Sequence, residues 1–346
     1  MKNDLVSVII LSYNNLEYYS ECLDSVLCQS YSNIEIIIVD DESKKFDKNV
    51  IVDYIERNKN SNILNYSVYS NERNMGIVKN FNTAIKKSKG KYIVPLAIDD
   101  VLNDKDVVND VVKFFVENKC LICTGYSDIY DSEMKKLVGK RPSEYGIEIL
   151  KNSSPSELFS ILKGENFISA PATNYTRDFF DEYGYFDEEY KLLEDWPKML
   201  SISKKGCKIK YIDRCIEKYR FGGISTNKFF SRNILDLDVK KIIKEFDECV
   251  SFENKKLVVW GTGYCYKKSK DKLKEFDISY AVDSDVEKQG MQFDNLKIYN
   301  PSKLLDEKAE EILIIVCSSH YLSISNWLNK NGFAIDKNYI SVNAIK

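Results

Sequence analysis

Val6-Ser7-Val8-Ile9-Ile10-Leu11-Ser12-Tyr13-Asn14 is followed by Ile34-Glu35-Ile36-Ile37-Ile38-Val39-Asp40-Asp41. Both are apolar runs of strand length that end in polar or acidic residues, the pattern of a buried β-strand entering a turn. Between them Leu16, Tyr19, Leu23, Val26 and Leu27 recur at helical spacing. Outward from this pair, the pattern predicts a helix near Phe46 to Arg57, a strand at Leu64 to Tyr69, a helix at Ile77 to Lys87 and a strand at Tyr92 to Leu96. Strands alternating with helices specify an α/β fold with a mostly parallel central sheet.

Open parallel sheets bind ligands just beyond the carboxyl ends of their strands. Ser12-Tyr13-Asn14, Asp40-Asp41 and Asp99-Asp100 all fall there, so one composite site is the economical reading. Four unpaired carboxylates close together would be costly to bury. A Mg2+ or Mn2+ ion with a diphosphate would relieve that cost, because these cations take carboxylate and phosphate oxygens. The competing reading is that each pair caps a following helix.

A chain of 346 residues exceeds one ordinary core, so more than one domain is expected. Its 44% hydrophobic and 30% charged residues exclude a disordered chain or a coiled coil. A net charge of -3 offers nucleic acid no general attraction. Nine cysteines sit mostly in apolar runs, as at Cys317, which points to a reducing compartment. Cys120 and Cys123 lack a second pair at zinc spacing, and His320 is the lone histidine. With neither a signal pattern nor a run of about 20 apolar residues, a cytoplasmic location is expected.

The segment 102–228 is richer in aromatics and less regular, with Pro142, Pro155 and Pro171, and reads as the acceptor half beside a ligand-binding half at 1–101. A charged helical linker at 229–254 leads to a second strand-helix pattern at 255–346, with Leu257 to Trp260, Gly261-Thr262-Gly263, a helix to about Phe276, and Tyr280 to Asp283.

Val6 to Asn14, Val39-Asp40-Asp41-Glu42-Ser43, Asn74-Met75-Gly76 with Asn82, and Leu96-Ala97-Ile98-Asp99-Asp100 resemble, in order and spacing, the signatures of family 2 glycosyltransferases with the GT-A fold. The resemblance continues through Gly184 to Glu188, Glu194-Asp195-Trp196 and Tyr219 to Ser225. It implies an inverting transferase that moves a sugar from a nucleotide-sugar donor, with UDP favoured, to a glycan or lipid-linked oligosaccharide in bacterial surface polysaccharide assembly. By the same resemblance Tyr13 and Asp41 bind the nucleotide base, Arg73 contacts it, and Asp40 and Asn82 also belong to the donor site. Asp99 serves the ribose and shares the Mn2+ or Mg2+ with Asp100. The family often has an aspartate where this chain has Ala97, which shifts weight toward Asp100 as metal ligand.

Glu194-Asp195 matches the family's acidic pair, whose aspartate is the general base. A sugar hydroxyl is a poor nucleophile, and a carboxylate within hydrogen-bond reach of its proton raises its reactivity. Asp195 also suits a helix start, because Pro197 fits the first turn and an acid favours the positive end of the helix dipole. Arg220 with Gly222-Gly223 is expected to close over the phosphates. Acceptors on the cytoplasmic leaflet would bring peripheral membrane contact without an anchor.

Gly261-Thr262-Gly263, with Asp283 about 20 residues later, resembles a dinucleotide-binding fingerprint, but Tyr266 occupies the third glycine position. Two competing readings follow: an NAD-dependent oxidoreductase centred on this unit, and a non-catalytic scaffold for glycan assembly. For the C-terminal unit itself, a protein-partner role is the reading adopted.

Overall fold

The computed structural model describes residues 4–222, 237–242, 252 and 254–345. The chain divides into two compact units, Met1–Pro155 with Ile168–Val239, and Ser156–Phe167 with Lys240–Lys346. The linker expected at 229–254 and the end of the Tyr219 to Ser225 motif lie mostly outside the described residues.

The first unit begins β1 (Val6–Ser12), α1 (Tyr19–Leu27), β2 (Ile34–Asp40), α2 (Lys48–Asn58), β3 (Ile63–Ser70), α3 (Ile77–Lys87) and β4 (Tyr92–Ala97). It continues through β5 (Val101–Leu102), α4 (Val107–Asn118), β6 (Ile122–Tyr130), β7 (Leu137–Arg141) and α5 (Glu144–Asn152). After α6 (Pro155–Leu162) come β8 (Thr173–Thr176), α7 (Arg177–Tyr183), α8 (Asp195–Lys204) and β9 (Lys210–Arg220). The sheet order is β3-β2-β1-β4-β8-β6-β9-β5, with β7 paired to β6. β1 pairs in parallel with β2 and β4, whereas β8 runs antiparallel to β4 and β6.

Both faces of β1, β2 and β4 are covered, which is why these strands are almost continuously apolar, whereas the edge strand β3 alternates with polar, exposed residues. Val8, Ile10, Ile36, Ile38 and Val94 pack with Leu23 and Val26 of α1 and Val107 and Val111 of α4. The alternate residues Ile9, Ile37 and Ile93 are equally buried. This packing holds the ends of β1, β2 and β4 level. Ser12 is paired in register with Asp40, and Leu11 with Ala97.

In the second unit β10 (Lys256–Trp260), α9 (Tyr264–Leu273), β11 (Ile278–Val282), β12 (Gln292–Phe293), β13 (Leu296–Tyr299), β14 (Ile312–Val316), α10 (Tyr321–Lys330) and β15 (Tyr339–Ser341) form a sheet in the order β12-β13-β11-β10-β14-β15. Its strands are parallel except at β12, a doubly wound arrangement. The segment 156–167, within the range read as the acceptor half, clusters with this unit. Lys163 Nζ lies 3.3 Å from Asp336, and Glu165 accepts from Leu322 N at 3.0 Å. Gly164 lies so close to the Tyr321 ring that a Cβ there would stand 2.3 Å from it. No helix among the described residues is long and apolar enough to cross a membrane.

Candidate active site

The loop after β2 is organised by its two carboxylates. Asp40 is fully buried, accepting from Ser12 Oγ at 2.9 Å, from Ser43 N at 2.8 Å and from Ser43 Oγ. It joins the ends of β1 and β2 and sits behind the site. Asp41 accepts from Met75 N and Gly76 N, one on each oxygen, and from Asn71 Nδ2, all at 2.8 Å. Gly76 has φ 84°, a conformation that glycine adopts without steric cost, so the loop turns here into α3. Asn71, Glu72, Arg73 and Met75 line a cavity of about 510 Å3 beside that loop, and Tyr13, 37% exposed, directly follows β1. The structure therefore places Tyr13 and Arg73 at an open surface, and Asp41 as the group that shapes it.

The end of β4 carries the second pair. Asp99 is half-buried and its Oδ2 accepts from Asn15 Nδ2 at 2.8 Å. Burial raises its pKa, only partly offset by backbone and Asn15 hydrogen bonds and the Arg220 charge. Asp100 is buried, and its Oδ1 accepts from Arg220 N at 2.6 Å. Burial pushes Asp100 well above the usual carboxylate range, and the charges of Glu217 and Asp99 push it further. Glu217, which the sequence reading did not single out, is wholly buried with its pKa pushed up to about 8, by burial first, opposed by Ser127 and reinforced by Asp99. Its Oε2 has no hydrogen-bond partner among the described residues.

Arg220 occupies a different place from the one expected of a phosphate ligand. Its guanidinium donates to Asp99 O at 2.8 Å, Ser132 O at 2.7 Å and Glu21 Oε2 at 2.6 Å, and lies 3.8 Å from the centroid of Tyr18. It supports the Asp99-Asp100 turn from behind. Gly223, read with it as a closing segment, lies outside the described residues.

These carboxyls suit a divalent cation. Burial raises the pKa of Asp99, Asp100 and Glu217, the charges of Glu217 and Asp99 raise Asp100 further, the Asp99 charge raises Glu217, and one Glu217 carboxyl oxygen is buried without a hydrogen-bond partner among the described residues. Among the described residues no group of three or more His, Cys, Asp or Glu side chains is arranged as a complete metal cage. The donor set therefore fits a cation that takes one or two protein oxygens and the rest from a diphosphate.

Asp195 begins α8 and is buried, with Glu194 at the N-cap. Burial, then the Asp195 charge, pushes the pKa of Glu194 up to about 8. The loop before this pair approaches the donor loop: a Cβ built on Gly76 would stand 3.6 Å from Lys191 O. Asn82, expected at the donor, is instead 1% exposed; its Nδ2 donates to Phe186 O at 2.8 Å and Glu188 Oε1 at 3.1 Å, and its Oδ1 accepts from Phe186 N. It ties α3 to the chain leading into α8. Lys198 Nζ donates to the carbonyls of Tyr183, Gly184 and Tyr185 at 2.8, 2.6 and 2.9 Å, fixing α8 against the end of α7.

A profile of glycosyl transferase family 2 matches residues 7–184, the span holding the sheet's parallel half and both strand-end acid pairs. The chain belongs to that family. The chain is 30% identical over 204 residues to an uncharacterized glycosyltransferase of Rickettsia prowazekii, covering 58% of this chain and 59% of that one, so it spans less than two thirds of that relative's length. It is 28% identical over 230 residues to TuaG of Bacillus subtilis, provisionally named a teichuronic acid biosynthesis glycosyltransferase, covering 65% and 83%. Solved structures share the fold at low identity: S. aureus TarS 1-349 in complex with UDP-GlcNAc (TM-score 0.52, 20% identity, 69% of this chain and 66% of that one), and mannosyltransferase PcManGT of Pyrobaculum calidifontis in complex with GDP-Man and Mn2+ (TM-score 0.52, 15% identity, 70% and 64%). A second profile, named C2185-like, N-terminal, matches residues 253–340.

In that second region the first glycine of the Gly261-Thr262-Gly263 turn is closely packed, whereas Gly263 faces open space. Gly261 has φ 101°, and a Cβ there would stand 2.6 Å from Cys317 O. Asp283 Oδ2 accepts from Thr262 N at 2.9 Å and Thr262 Oγ1 at 2.7 Å, and pairs with Lys288 at 3.3 Å. The carboxylate that a dinucleotide ribose would need is held by its own loops, and Tyr266 is buried in the core at the third glycine position.

Proposed function

We propose that the chain transfers a sugar from a nucleoside diphosphate sugar, UDP-linked by preference, to a glycan or lipid-linked glycan acceptor with inversion, in the assembly of a bacterial surface polysaccharide. The observation that carries this reading is the contact between two loops of the first unit. The loop shaped by Asp41 abuts Lys191 at Gly76, shortly before Glu194-Asp195. Donor-side and acid-bearing elements are thus neighbours in space. TarS and PcManGT hold UDP-GlcNAc and GDP-Man, which supports the donor class.

In this mechanism Tyr13 and Arg73 face the nucleotide. Asp99, the more exposed of its pair, would be the principal ligand of a Mn2+ or Mg2+ ion in place of the Asp100 expected from the sequence, with Asp100 and Arg220 fixing its turn. The cation, when bound, neutralises charge developing on the departing diphosphate. Asp195 accepts the acceptor hydroxyl proton as that oxygen attacks the anomeric carbon from the face opposite the diphosphate, and inversion follows. Burial, then the Asp195 charge, raises the pKa of Glu194 to about 8, and Asp195 is the member of the pair assigned as base in this reading.

The test is release of nucleoside diphosphate from a panel of UDP-, GDP- and CDP-sugars, with and without Mn2+, alongside thermal stabilisation by the free nucleotides and NAD. Mn2+-enhanced turnover of one nucleotide class supports the reading. Stabilisation by NAD alone would move the activity to the second unit, and binding without turnover would favour a scaffold.

A further inference from the structure

We infer that Asp238 is a positioning residue for the transfer step: its carboxylate latches the loop that presents Glu194-Asp195. This rests on the reading of Asp195 as general base. Asp238 lies in a short helical run at 237–242, well beyond the stretch of the first unit that matches the family. It is 4% exposed. Three successive backbone N–H groups converge on it: Lys191 N at 3.2 and 3.0 Å from its two oxygens, and Leu192 N and Leu193 N at 2.8 and 3.2 Å from Oδ2. Consecutive amides turned toward one anion form a nest, and charge-assisted bonds of this kind are the stronger hydrogen bonds of proteins.

The position of this nest gives it a catalytic consequence. Residues 191–193 lie directly between the donor loop, which Lys191 O meets at Gly76, and the acidic pair at the start of α8. From the other side, Asn82 and Lys198 fix the chain at 183–188 and the body of α8. Without Asp238, residues 191–193 would lose the carboxylate that gathers their amides. A base displaced by 1 Å costs on the order of 10²-fold in rate.

The experiment compares the full-length protein with Asp238→Asn and Asp238→Glu, using Asp195→Asn as a control. Trypsin cleavage after the exposed Lys191, followed by mass spectrometry, reads the loop directly. UDP affinity with Mn2+, and kcat for nucleoside diphosphate release from the sugar nucleotide turned over in the panel, read the site. Asp238→Asn should be cut after Lys191 roughly tenfold faster, as expected of a local opening, with kcat down roughly 10²-fold and UDP affinity within about twofold. Asp238→Glu, which keeps the charge, should recover most of both. Unchanged cleavage overturns the latch, faster cleavage with unchanged kcat overturns its role in transfer, and kcat falling in step with UDP affinity marks a general structural role. If Asp195→Asn retains turnover, the base assignment fails while the cleavage measurement still decides the latch.

Discussion

The two sheets of this protein end their strands with the same device and use it differently. In the second unit Val282 leads into Asp283, whose carboxylate is gathered by Thr262, Asp285 and Lys288. Burial would raise its pKa, but those hydrogen bonds and the lysine charge outweigh it, and the pKa is lowered. In the first unit Asp40 and Asp41 are likewise held by nearby loops. Asp99, Asp100, Glu217 and Glu194 are not compensated in this way, and burial raises all four. An apolar strand ending in an acid thus signals a loop lock as readily as a ligand site. What separates them is whether the surrounding protein supplies enough donors to balance the charge.

Changes among the acids of the first unit should have the largest effects. Asp195→Asn is expected to lower kcat by about 10²–10⁴-fold, the range for a lost general base, with donor affinity nearly unchanged; single-turnover kinetics and calorimetry check this. Equal loss of donor affinity would point to a donor-binding role instead. Asp99→Ala should weaken Mn2+-dependent nucleotide binding roughly 10- to 100-fold, the equivalent of about 1.5–3 kcal/mol for one charged contact, and by more than Asp100→Ala does. The reverse order would make Asp100 the principal ligand.

The pH dependence of stability sharpens the contrast. A carboxyl with a raised folded pKa keeps a proton that the unfolded chain has released, so stability falls as pH climbs from the unfolded value toward the folded one. For Glu194 and Glu217 that window runs from 4.5 to about 8. Melting temperature in chelator-treated protein should decline across it, and Glu217→Gln should flatten the decline. Asp283 behaves in the opposite sense, since its lowered pKa gives stability that is lost only as pH falls through that value. The smallest effect is expected from Thr262→Val, which removes one donor to Asp283. It should cost about 1 kcal/mol in denaturant unfolding while leaving nucleotide-sugar turnover unchanged.

The positions of β1, β2 and β4 were legible because both faces of those strands are buried, and a nearly continuous apolar run of strand length between turn residues is what such burial demands; the edge strand β3 was legible from its β-rich composition instead. The acid pairs were legible as a set, since placement at strand ends is a property of chain order. The partners of each side chain were not. Asn82 looked like a donor contact and is a strut; Arg220 looked like a phosphate clamp and supports a turn; Glu217 lies in the less regular segment, where no pattern singles it out. Asp238 and the segment 156–167 act across 45 to 173 residues of sequence, with no periodicity to reveal them. By itself the sequence determined the α/β architecture, the family and the strand ends at which polar groups gather, because these follow from local apolar pattern and order along the chain. Tertiary structure alone decided which carboxylates remain uncompensated and which loop presents Asp195, because charge balance depends on donors that only folding brings within hydrogen-bond distance.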